Sequence, residues 1–95
     1  MSKVILQGHI VVPAADIVAV LDELPNHIAL TRAETGCLVF DVSRDKADPL
    51  RFNVYEEFDS PASFQLHQQR VKTSAWGAIT LQVQRHYTVQ GMEGQ

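Results

Sequence analysis

Ninety-five residues suffice for one small domain, and a core of that size makes pairing with a partner a common route to stability. Hydrophobic residues at 45% and charged residues at 20% exclude a disordered chain, while a net charge of −3 with eight scattered basic residues argues against nucleic-acid binding. One cysteine, Cys37, excludes an internal disulfide framework, and no apolar run approaches the roughly 18 residues of a membrane helix.

Residues 3–12 are rich in Val and Ile and predict a strand, with Val4, Leu6, Gly8, Ile10 and Val12 on one face. Pro13 ends it. From Ala15 the period turns helical: Ile17, Val20, Leu21, Leu24 and Ile28 form one stripe. Pro25 is expected to kink that helix or start a second one, and Gly36 suits a left-handed cap at its end. Residues 37–43 alternate again, with Leu38, Phe40 and Val42 together, and 44–49 form a polar turn. A third strand follows over 51–58, with Phe52, Val54, Glu56 and Phe58 on one side. Ser60-Pro61 is a helix start, a capping hydroxyl followed by proline, for a helix reaching about Arg70. Residues 72–79 read as irregular or as one turn around Trp76. The last strand is placed at 80–90, with Leu81, Val83, Arg85, Tyr87 and Val89 inward, and the tail 91–95 is expected to fray.

The sum is β-α-β-β-α-β over a single domain, 1–95: an α+β, ferredoxin-like antiparallel sheet with two helices on one face. The other face mixes Ile5, Val11, Val39 and Tyr55 with polar residues, and a second copy packed on it would cover the apolar ones. A homodimer is therefore expected. Met1-Ser2-Lys3-Val4 leads into the first strand without the apolar stretch of a signal peptide, so the expected compartment is the cytoplasm, with no membrane partner.

Three polar exceptions mark candidate chemistry. Glu56 and Arg85 fall on inward faces, on strands expected to flank the first strand at Gly8. They form the ends of a polar pocket, a structural ion pair, or strand-end positions that reach solvent. His67 sits on the stripe of Phe64 and Val71, either as a proton carrier or as a hydrogen-bonded core histidine. His27 and Arg32 lie near the end of the first helix, where Arg32 either binds an anionic oxygen or caps the helix. Trp76, Tyr87, Phe40 and Phe64 are mainly core aromatics that could also wall a pocket. The histidines lack metal-ligand spacing, so no metal or cofactor is expected.

Thr31-Arg32-x-Glu34-x-Gly36-Cys37, then Phe52-x-x-Tyr55-Glu56, then Asp59-x-x-Ala62 leading to His67, resemble the antibiotic biosynthesis monooxygenase family, including its quinol-monooxygenase-like members. The resemblance covers residues 3–90 and implies a dimeric α+β barrel. It also implies that Tyr55, Glu56 and His67 occupy recurring family positions. The implied activity is cofactor-independent oxidation of small dihydroxyaromatic compounds. In that scheme His67 is the base, Glu56 orients it or the substrate, and Arg85 or Arg32 stabilises an oxyanion. A proton-shuttling isomerase and a non-catalytic binding or stress-response module are the alternatives, with haem degradation ranked below them.

Overall fold

A computed structural model describes residues 3–92, so the last part of the tail expected to fray, 93–95, lies outside the described residues. Four strands, β1 (Val4–Val11), β2 (Cys37–Arg44), β3 (Arg51–Phe58) and β4 (Gln84–Gln90), form one sheet in the order β2-β3-β1-β4. Every neighbouring pair is antiparallel. Helices α1 (Ile17–Arg32) and α2 (Pro61–Lys72) and a short α3 (Ala75–Ile79) complete an α+β, ferredoxin-like fold.

Strand alternation decides which residues meet the helices. Val4, Leu6 and Ile10 of β1 and Phe52, Val54 and Phe58 of β3 are buried together with Val20 of α1, Phe64 of α2 and Trp76 of α3. Complete burial of Phe52 and of Phe58 stabilises the fold by about 2 kcal/mol each. The N-terminus of α2 is held as its sequence suggests, with the Ser60 hydroxyl accepting from the Ser63 amide at 3.2 Å and Pro61 at the first helical position.

Four local expectations are corrected. Helix α1 runs through Pro25 as one element. The proline removes the bond to the Leu21 carbonyl, but both residues are exposed, so water can satisfy that oxygen. Leu38 is 55% exposed because a bulge between Cys37 and Val39 shifts the register and turns it outward. Strand β4 begins at Gln84, and Leu81 in the preceding turn is 77% exposed. Gly36 does not adopt a left-handed conformation; a Cβ there would lie 2.1 Å from the Ser63 hydroxyl, so its small size lets α2 approach.

Gly8 has φ +152°, and a Cβ on it would lie 1.9 Å from the His86 carbonyl oxygen. Its place between Val54 and Tyr87 matches the expected strand order. Its role differs from the expected gap, since it permits the close approach of β4, and Leu6 is the β1 residue in register with Glu56.

Candidate active site

Glu56 enters the core because it continues the inward series Phe52, Val54, Glu56, Phe58 on β3. It is 6% exposed, and its Oε1 has no hydrogen-bond partner. Burial, reinforced by the negative charge of Glu34, pushes its carboxyl up to about 8. Near neutral pH Glu56 is therefore mainly a carboxylic acid.

His67 arrives from α2, one turn beyond Phe64, and its ring packs against Phe58 with centroids 4.8 Å apart. Its Nδ1 lies 3.0 and 3.1 Å from the two oxygens of Glu34. Its Nε2 faces Oε1 of Glu56 at 3.8 Å. A carboxylate only accepts, so the Nδ1 contact places the ring proton on Nδ1 and leaves the Nε2 lone pair toward Glu56. Burial lowers the His67 pKa, with the Glu34 hydrogen bond opposing it. Glu34 is itself held by Arg70 Nε at 2.5 Å, and the same guanidinium donates to the Thr31 hydroxyl at 2.9 Å. Arg70, Glu34, His67 and Glu56 thus form a continuous line from the flank of α2 into the core.

The line ends at a cleft of about 380 Å³, inside the roughly 300–1,000 Å³ usual for small-molecule sites. Glu56 and His67 lie on its inner side, while His27, Phe64 and Trp76 supply flat walls. His27 stacks on Trp76 with centroids 4.5 Å apart and planes 4° from parallel. Burial, followed by the charges of His67 and Arg70, lowers its pKa to about 3, so His27 is a neutral wall. Arg85 borders the cleft and is braced by the Thr80 carbonyl and hydroxyl, both at 3.2 Å, and by the Val83 carbonyl at 3.3 Å. Among the described residues Arg85 and Glu56 form no ion pair: Arg85 is exposed near the start of β4 at the border of the cleft, while Glu56 is buried.

Of the residues singled out from sequence, His67, Glu56, Arg85, His27, Phe64 and Trp76 line this cleft. Phe40 is buried behind it, edge-on to His27 at 5.3 Å. Two lie elsewhere. Arg32 donates to the Phe40 carbonyl at 2.8 and 3.0 Å and to Asp41 at 3.1 Å, which ties the end of α1 to the outside of β2. Tyr55 points to the opposite face of the sheet, where its hydroxyl donates to Glu57 at 2.5 Å. Alternation explains this directly, since Tyr55 neighbours an inward Glu56. Glu34 and Arg70 carry no site reading in the sequence, whereas Tyr87, read there as an aromatic able to wall a pocket, lines the cleft. Arg70 lies three positions after His67 on one helix, a spacing that could have linked them. No local signal pairs Glu34 with His67. Among the described residues no group of three His, Cys, Asp or Glu side chains is placed to hold a metal ion, and no helix is long and apolar enough to cross a membrane.

Residues 4–78 match the sequence model of the antibiotic biosynthesis monooxygenase family. The chain belongs to that family. This antibiotic biosynthesis monooxygenase family member resembles a crystal structure described as a candidate antibiotic biosynthesis monooxygenase from Deinococcus radiodurans. Identity is 28%, the TM-score is 0.74, and the match covers 90% of this chain and 88% of the other. A second structure described as an antibiotic biosynthesis monooxygenase is also 28% identical, with TM-score 0.73 and coverage of 94% and 93%. A Pseudomonas aeruginosa protein at 23% identity shares the fold, with TM-score 0.72 and coverage of 94% and 90%. No curated protein matches the family member in sequence.

Proposed function

We propose that this family member is a cofactor-free monooxygenase of small dihydroxyaromatic compounds, active as a homodimer. The observation that carries this reading is the buried acid–base pair of Glu56 and His67 at the inner end of a cleft walled by aromatic rings. A dihydroxyaromatic ring packed against such walls would become an electron donor once one hydroxyl is deprotonated. The unprotonated Nε2 of His67 takes that proton, and Glu34 stabilises the imidazolium. Arg85 stabilises the aryl oxyanion, and Glu56 in its acid form donates to the second oxygen.

The anion reduces dioxygen directly. A ring carbon binds one oxygen atom as a hydroperoxide. Loss of the ring proton then breaks the O–O bond, and the distal oxygen leaves as water with a proton from the acid side of the site. Dihydroxyaromatic plus dioxygen becomes hydroxyquinone plus water. All four electrons come from the substrate. Names of the structural relatives support the oxygenase class, and the flat neutral His27–Trp76 stack supports an aromatic substrate.

The test is oxygen consumption with a panel of hydroquinones, corrected for autoxidation. One dioxygen consumed per hydroxyquinone formed is expected, and no enzyme-dependent uptake across the panel overturns the reading. Since Glu56 and His67 can each carry a proton at the cleft, a proton-shuttling isomerase is the second reading. Conversion of a carbonyl substrate at an undiminished rate under argon would establish it.

A further inference from the structure

His67 lines two cavities. Its Nε2 side faces the cleft that holds Glu56. Its other flank borders a second cavity of about 270 Å³, lined also by Glu34, Gly36, Ser63, Leu66 and Arg70. The imidazole is thus part of the wall between them. The two carboxyl groups it faces are unequally wetted: the Glu56 side chain is 8% exposed and Glu34 is 18% exposed. Glu34 contacts the ring at hydrogen-bond distance, and it borders the cavity away from the substrate.

We propose that Glu34 is the outward proton acceptor of a relay through His67, so that the site exchanges protons with water through the second cavity rather than through the substrate cleft. This deepens the proposed function and rests on His67 being the group that deprotonates the substrate. The substrate hydroxyl proton binds Nε2, the Nδ1 proton moves to a Glu34 oxygen, and Glu34 releases it to water. One proton enters the ring and one leaves, so the imidazole ends neutral and the substrate anion is balanced by a proton in bulk water. The path run backwards returns the proton that leaves in product water.

Every charged or titratable neighbour of His67 fits this direction of flow. Arg70 from the next turn of α2 holds Glu34 in place and, through its second nitrogen, is anchored on Thr31 of α1. Glu56 from β3 is the inner neighbour. His27 from α1, with ring centroid 6.4 Å away, is kept neutral by burial and adds no competing charge. A substrate in the cleft covers the inner side of the imidazole and leaves the outer side open.

Two measurements on the intact protein test the relay. The first is independent of turnover: nitrogen-15 NMR of the His67 ring at pH 7 should find the Nδ1–H tautomer, replaced or mixed in Glu34→Gln. An Nε2–H tautomer in the unmodified protein overturns the relay. The second is oxygen uptake with a hydroquinone by Glu34→Ala, expected to fall at least roughly tenfold. Formate added at constant pH and ionic strength should restore it severalfold, because the deleted carboxylate leaves a space continuous with the second cavity. Neither the unmodified protein nor His67→Ala should respond to formate. Loss of rate in Glu34→Ala with no response to formate means that Glu34 only orients the ring, and full retention of rate means that it is not involved; either overturns the relay. If the unmodified protein consumes no oxygen, the proposed oxygenase fails, and the tautomer alone decides whether the relay stands.

Discussion

His67 Nδ1 lies 3.0 Å from Glu34, a residue 33 positions away in sequence, while the opposite ring nitrogen faces Glu56 at 3.8 Å. One imidazole therefore stands between a carboxylate held by a guanidinium and a carboxyl group with an unpartnered oxygen. The asymmetry assigns the roles: the held carboxylate sets the tautomer, and the unpartnered acid faces the cleft.

Replacing His67 by Ala should reduce hydroquinone-dependent oxygen uptake by roughly a hundredfold or more, the usual worth of a positioned base. Circular dichroism should remain that of the folded protein. Uptake equal to that of the parent would remove His67 from the mechanism.

Titration of His27 and Glu56 should leave stability nearly level between pH 4.5 and 6.5, where their opposing contributions cancel, and lower on either side. His27, lowered to about 3, binds protons more readily in the unfolded chain, so stability is lost as pH falls from 6.5 toward 3. Glu56, raised to about 8, binds protons more readily in the folded chain, so stability is lost as pH rises from 4.5 through 8. The Glu56 contribution lost between pH 6.5 and 8 is about 2 kcal/mol. Glu56→Gln should flatten that alkaline limb in urea-unfolding curves, and an unchanged slope would place its titration elsewhere.

Gly8→Ala should destabilise the protein by more than about 2 kcal/mol, because the added Cβ meets the His86 carbonyl at 1.9 Å and the residue sits at φ +152°. Equilibrium unfolding measures this. A change below 0.5 kcal/mol would mean that β4 shifts freely along β1, against the register of the sheet (~0.5 kcal/mol being the usual scale of neutral surface changes).

Arg85→Ala and Arg32→Ala should behave differently. Arg85 borders the cleft, so its loss should lower kcat/KM by roughly tenfold or more, as expected when an oxyanion donor is removed. Arg32 is exposed on the outside of β2, so its loss should cost about 1 kcal/mol of stability and leave kcat/KM unchanged. Steady-state kinetics beside thermal unfolding separates the two.

The face of the sheet away from the helices carries half-buried Ile5, Val11, Val39 and Tyr55. Val39→Lys should shift the proposed homodimer to monomer in light scattering at micromolar concentration. A dimeric mass retained by this variant would move the interface off that face.

Much of the site was legible because burial in strands and helices follows a short local period. Two-residue alternation put Glu56 inside and Tyr55 outside, and the helical stripe through Phe64 and Val71 carried His67 to the core. The same reasoning failed where a local irregularity resets the phase. The bulge at Leu38 and the turn before Gln84 each turned an apolar side chain outward. Pro25 gave a strong breaker signal, yet tertiary packing of α1 through Val20, His27 and Thr31 outweighed one lost hydrogen bond at an exposed carbonyl.

By itself the sequence determined the order of the elements and most inward-facing residues, since both depend on neighbours a few positions apart. Tertiary structure alone decided that Glu34 meets His67, that Arg85 is braced by Thr80 rather than paired with Glu56, and that His67 borders two cavities. Those relationships depend on how closely α2 docks against the end of α1, which Gly36 permits, and on where the chain turns before β4. Contacts across 33 positions are set by the packing of whole elements, and no period within one element encodes them.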